Sequence, residues 1–152
     1  MMTLDTLTKL ATFAAVFCAL FAAHQVGDHW VQTHRQACRK GTLDRAGMVW
    51  CARHVITLTM TKLVALYALW AVTGLDIHLA YLAAGLLVDA LSHYWADRRA
   101  PLAWLAGRLG KGDFYRLGLP EAAPCGTGAY ALDQSWHHLW LFIAALIITG
   151  GA

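Results

Sequence analysis

The chain has 152 residues, 59% of them hydrophobic and 14% charged, against about 45–50% and about 25% in typical soluble domains. Such a chain could fill the core of one domain but has too little polar surface to cover it in water, so a membrane protein is a stronger reading than a soluble helical bundle. Its net charge of +3 comes without a basic stripe and interleaved aromatics, so no nucleic-acid partner is expected.

The apolar blocks predict four spanning helices in chain order, at residues 7–30, 48–73, 77–96 and 132–149. A span needs about 20 mostly apolar residues at about 1.5 Å rise each. The first block carries Lys9 as its one early charge, and only Asp5 precedes it. With no basic leader and further apolar segments following, it is expected to be a retained helix rather than a secretory signal. The second block contains Lys62 at mid-helix, which either snorkels or pairs within the bundle. The third leads into Asp89, and the last stretch, from Leu139, has no charge.

Of the connections, the long one is 98–130, which holds Pro101, Pro120 and Pro124. Leu102, Leu105 and Leu109 stand at helical spacing with Trp104 beside them, which predicts a short helix in the headgroup layer. The remainder reads as loop, with Gly126-Thr127-Gly128 as the turn before the fourth helix. The expected fold is thus an all-α polytopic membrane protein, a four-transmembrane-helix bundle forming one domain over 1–152, with a short interfacial helix in its third connection.

Charge sets the expected orientation. Arg35, Arg39, Lys40, Arg45 and Arg53 lie in or just after the first connection, and Arg98, Arg99, Arg108, Lys111 and Arg116 lie in the third. These ten of the twelve basic residues fall on one side, which the positive-inside rule makes cytoplasmic, with both termini outside. The four cysteines, Cys18, Cys38, Cys51 and Cys125, form no CxxC pair and read as inert thiols.

The candidate chemistry gathers at that cytoplasmic level. The first helix ends with His24 and Asp28, and the third with Asp89, His93 and Asp97; the fourth opens with Asp133, Gln134 and His137, and the second with Arg53 and His54. Residues four apart share a helix face, so each His/Asp pair can aim at a common centre. Several ionisable groups at one membrane depth are costly unless they satisfy one another or a cation. Imidazole with carboxylate suits a divalent transition metal, zinc first, and the candidate ligands are His24, Asp28, His54, His93, Asp97, Asp133 and His137. Seven donors exceed one zinc, so either two ions bind or some donors orient the ligands from outside, a role for which Asp89 is the first candidate. A hydrogen-bonded polar plug that fixes helix register is the competing account. His29, His34 and His138 lie off these stripes, and His78 belongs to the outer side.

These residues resemble an uncharacterised bacterial family of integral membrane proteins, domain of unknown function 3307. Its hallmarks stand here as His24, Asp28 and Gln32, then His54, then His93 and Asp97, then Asp133, Gln134 and His137. Asp89 and the run from Arg98 to Pro101 are less clearly general features of it. The resemblance implies a shared site in a multi-pass protein of the bacterial inner membrane, and it supplies no reaction.

Two function classes stay open. One is a membrane-embedded metal-dependent hydrolase, in which Asp133 or Asp97 is the base and Arg53 or Arg98 holds an anionic group such as a lipid phosphate; a metal lowers the pKa of bound water towards about 7. The other is a non-enzymatic protein that binds or conducts a metal or proton, or uses the metal to staple its helices. The bilayer is the expected partner in both, and an oligomer is left open. The outer halves of the helices hold almost no polar residue apart from Lys62, which favours a one-sided site over a pore.

Overall fold

In the computed structural model, which describes residues 2–118 and 126–152, every regular element among the described residues is helical. Helix α1, Leu4–Val26, starts at Thr3, whose hydroxyl accepts from the Thr6 N–H at 3.1 Å. It runs without a break into a π-helical turn, Gly27–Val31, where Gln32 N–H donates to the Gly27 carbonyl at 3.0 Å. Helix α2, His34–Arg39, is short and closed by a capping box between Thr33 and Gln36. Helix α3, Arg45–Thr73, begins at Asp44, which accepts from the Gly47 N–H at 2.8 Å, and ends at Gly74 in the left-handed region. Helices α4, Leu79–Asp97, α5, Ala100–Arg108, α6, Gly112–Tyr115, and α7, Gly128–Thr149, complete the chain.

The four long helices fall on the four predicted blocks. Helix α7 starts earlier than residue 132 because the Thr127 hydroxyl caps it, accepting from the Tyr130 N–H at 3.2 Å. Helix α5 lies where the leucine spacing put it, and it buries Leu102 and Ala106 while Trp104 stays exposed. Helix α2 and the π-helical turn were not expected. Pro120, Pro124 and Cys125 lie outside the described residues.

Helix α4 packs along α7, and α1 packs against both α3 and α7. The core between them is Val16, Leu20, Leu66, Leu86, Leu141, Ala144, Ala145 and Ile148. Gly85 lets α4 approach α7 closely, since a Cβ there would stand 2.9 Å from the Ala144 carbonyl oxygen. Gly27 does the same for the π-helical turn against α3, where a side chain would collide with Leu58.

Two helices are long and apolar enough to cross a membrane by length and composition, Leu4–Val31 and Arg45–Thr73, each with mean hydropathy 1.7. Helices α4 and α7 carry polar site residues within their length, Asp89 and His93 in one and Asp133, Gln134 and His137 in the other. The topology brings the ends of α1 and α4 to the same pole as the starts of α3 and α7, and the polar residues meet there.

Candidate metal centre

Four imidazoles from four helices lie at this pole, His24 from α1, His54 from α3, His93 from α4 and His137 from α7, all essentially inaccessible to solvent. His93 and His137 stack with ring centroids 3.8 Å apart, and His24 stands 5.5 Å and 5.3 Å from them. The carboxylates sit between these rings and the solvent. Asp28 projects from the π-helical turn, and Asp97 ends α4, its side chain only 1% exposed.

The tightest grouping surrounds His54 Nε2. Asp28 Oδ1 lies 3.0 Å from it, His93 Nε2 3.1 Å and Asp97 Oδ2 3.3 Å. His93 Nε2 is also 3.2 Å from Asp97 Oδ2. One imidazole N–H cannot serve all of these neighbours at once. Asp97 Oδ2 indeed makes no hydrogen bond, and neither do His93 Nδ1, either nitrogen of His137, or either nitrogen of His24. Buried polar atoms without partners are uncommon and each asks for an account.

A divalent cation among these groups would supply one for Asp97 Oδ2. Around a tetrahedral zinc with bonds of about 2.0–2.2 Å, neighbouring donors stand about 3.3–3.6 Å apart. His54 Nε2 stands within a few tenths of an ångström of that spacing from its Asp28, His93 and Asp97 neighbours, as does His93 Nε2 from Asp97 Oδ2. Asp28, His54 and His93 form one group with metal-ligand spacing, and His93, Asp97 and His137 form another that shares His93. The residues present therefore fit a metal.

The remaining predicted residues take distinct positions. Asp133 is the open carboxylate, its side chain 24% exposed and its Oδ2 3.4 Å from His137 Nε2. Gln134 donates to Asp28 Oδ2 at 3.3 Å, and Gln32 donates to Asp28 Oδ1 at 3.1 Å while facing the His54 ring. His24 packs beside the other rings but belongs to neither ligand-spaced group. Asp89 lies one turn deeper, where Lys62 of α3 pairs with it at 2.5 Å. Arg53 is exposed and stacks over Trp50, while Arg98 donates to the carbonyls of Lys40 and Thr42. Neither arginine lines the cleft above the site.

That cleft has a volume of about 880 Å³ and is floored by Asp28, Asp97, Asp133, Gln32 and Gln134. Its walls include Arg99, His29, His34, Tyr115 and Tyr130. His29 bonds the Gln25 carbonyl and the Tyr130 hydroxyl, and His138 faces Gln25, so neither ring reaches the centre. Arg99 donates to the Ala37 carbonyl and adopts a positive φ of 61°, a conformation few side-chain-bearing residues take. Burial pushes the Tyr115 phenol above its ordinary value.

Lys40, which sequence reasoning counted only among the inward charges, enters the site itself. Its Nζ is 2.8 Å from Asp97 Oδ1 and 3.5 Å from Asp28 Oδ1. Burial disfavours its charge, but the Asp97 and Asp28 carboxylates outweigh that and hold its pKa above the usual lysine value. No spacing rule reaches a lone lysine in a connection; the capping box before it, from Thr33 to Gln36, was the legible signal that the segment is ordered.

The Lys62–Asp89 pair carries its own expectation. Both side chains are buried, so removing one partner leaves an unpaired charge, a change that costs about 3–5 kcal/mol. Lys62→Met or Asp89→Leu alone is expected to lower the thermal midpoint sharply. The double variant should recover most of the loss, and thermal unfolding in detergent measures it.

The family described as protein of unknown function (DUF3307) matches residues 16–151. Comparison with curated proteins and with solved structures gives no match.

Proposed function

For a chain that belongs to the DUF3307 family, proteins of unknown function, we propose a metal-dependent hydrolase built into the cytoplasmic end of a four-span membrane bundle. The observation that carries this reading is the two groups at metal-ligand spacing that share His93, Asp28 with His54 and Asp97 with His137, beside a polar cleft. Zinc fits this donor set best, because imidazole nitrogens and carboxylate oxygens are among its common ligands.

Bound there, the metal supplies Lewis acidity and an acidified water at neutral pH. Asp133 faces the cleft with part of its carboxylate open, which suits a group that accepts a proton from water and returns it to a leaving oxygen. His137 Nε2 stands 3.4 Å from that carboxylate, one helical turn on. The second carboxylate proposed as base from sequence, Asp97, is enclosed by Lys40, His54 and His93, which suits a ligand. Arg99, rather than Arg53 or Arg98, stands on the cleft wall where an anionic group of the substrate would lie. A staple role is less well supported, because a structural site has no use for an open carboxylate and a cleft of this size.

The membrane reading draws on the outside of the bundle. Large apolar side chains are exposed along all four long helices, among them Leu10 and Phe21, Ile56 and Val64, Leu87 and Leu91, and Phe142 and Leu146. Soluble monomers rarely expose such continuous apolar surface, and a bilayer accounts for it. The polar faces of α4 and α7 turn towards each other and the site, so their lower hydropathy does not bar them from spanning. The basic connections then lie in the cytoplasm of a bacterial cell with both termini outside.

Elemental analysis of the purified full chain tests the metal. A transition metal stoichiometric with the chain is expected, and a metal-free protein that takes up none on dialysis would overturn the reading. Orientation is tested separately through Cys38, which is exposed on α2. In intact cells it should resist an impermeant maleimide and react once the cells are opened; ready labelling from outside would reverse the topology.

A further inference from the structure

The Asp97 carboxylate faces two ways. Its Oδ2 turns to His54 and His93 at 3.3 Å and 3.2 Å, while its Oδ1 turns to Lys40 at 2.8 Å and to His137 at 3.9 Å. A carboxylate so placed has the layout of a bridge between two cations, and two-metal hydrolytic sites hold their ions about 3.5–4 Å apart. On the Oδ1 side the donors of a second ion are present, with His137 Nε2 3.4 Å from Asp133 Oδ2. His137 Nδ1 is buried without a hydrogen bond, and His137 Nε2 has only the two carboxylates, Asp133 at 3.4 Å and Asp97 at 3.9 Å, beside it. The ammonium of Lys40 lies there already, reaching Asp28 Oδ1 at 3.5 Å as well.

We infer that the centre is a two-cation site in which one position takes a metal and the other is filled by the tethered ammonium of Lys40. This rests on the metal reading above and goes beyond it by fixing the count and naming the residue that sets it. A lysine brings one charge where a divalent ion brings two, and it brings no open coordination position. Its work is to neutralise Asp97 and Asp28 on the cleft side and to present N–H donors to an anionic group bound next to the metal.

The buried position also explains how a lysine is held at this point. Arg98 donates to the carbonyls of Lys40 and Thr42, which fixes the backbone at the base of the side chain. From there the side chain runs inward to Asp97 and Asp28.

The test is metal stoichiometry on the purified full chain at saturating zinc, read by elemental analysis and by anomalous scattering. Wild type and Lys40→Arg, which keeps the cation, should each hold about one ion per chain. Lys40→Ala should rise to about two, with the added ion lost again in Lys40→Ala/His137→Ala. If Lys40→Ala fails to fold, Lys40→Gln carries the same expectation, being neutral and closer in length. Two ions in wild type, or one in the folded neutral variants, would overturn the inference while leaving the metal centre standing. No ion in any of them would overturn the metal reading itself.

Discussion

A chain carrying His93→Ala together with Asp97→Ala is expected to purify without its metal. His93 belongs to both ligand-spaced groups, and Asp97 touches His54, His93 and Lys40, so the pair removes the shared part of the centre. Loss of a group that merely orients a ligand costs about 10–100-fold in metal affinity, and loss of two donors must exceed that. His29→Ala and His138→Ala are the controls. Their rings bond Gln25 and Tyr130 outside the centre, and both variants should keep their metal. Elemental analysis beside a stability measurement separates the outcomes. Equal metal loss in the controls, or full metal content in the double variant, would remove the assignment.

The same residues show what sequence could and could not reveal. His93 with Asp97, and Asp133 with His137, were legible because a helix repeats every 3.6 residues and the pairs stand four apart. The end of the first helix obeyed that rule less simply. Asp28 follows His24 by four, but it lies in a π-helical turn whose hydrogen bonds skip an extra residue, so its direction differs from the one α-helical spacing implies. Asp28 consequently joins His54, while His24 packs against rings and finds no carboxylate. Hydropathy carries no mark of such a turn. Gly27 was the local hint, since its missing side chain is what admits Leu58.

Loop residues were the other gap. Lys40 and Arg99 read only as inward positive charges while Arg98 was expected to hold an anionic group, and charge alone does not say which of them reaches the site. Tertiary packing sends them apart. Lys40 enters the carboxylates, Arg98 ties down the backbone, and Arg99 stands on the cleft wall. Lys62 and Asp89 were each legible as polar intruders in apolar helices, and burial makes pairing the outcome for two opposite charges brought this close.

Asp133→Asn is expected to abolish hydrolysis while leaving the fold and the metal. The near-isosteric amide keeps the size of the side chain, and the four closest donors are untouched, so folded protein and metal content should stay near wild type. Proton handling is what the amide cannot do, and removing a positioned acid/base group lowers rate by about 10²–10⁴-fold. Asp97→Asn makes the contrast. Its carboxylate is buried against Lys40 and two histidines, so the amide weakens the centre itself and should cost metal, stability and activity together. A screen of phosphoesters and lipids with the zinc-loaded chain supplies the substrate for the comparison. Should both variants lose metal and stability in parallel, Asp133 is a ligand and the centre a staple; should the loaded wild type turn over nothing in a broad screen, the hydrolase reading falls and the metal centre remains. Selective loss of turnover at Asp133, with the metal in place, is the one pattern a purely structural site cannot produce.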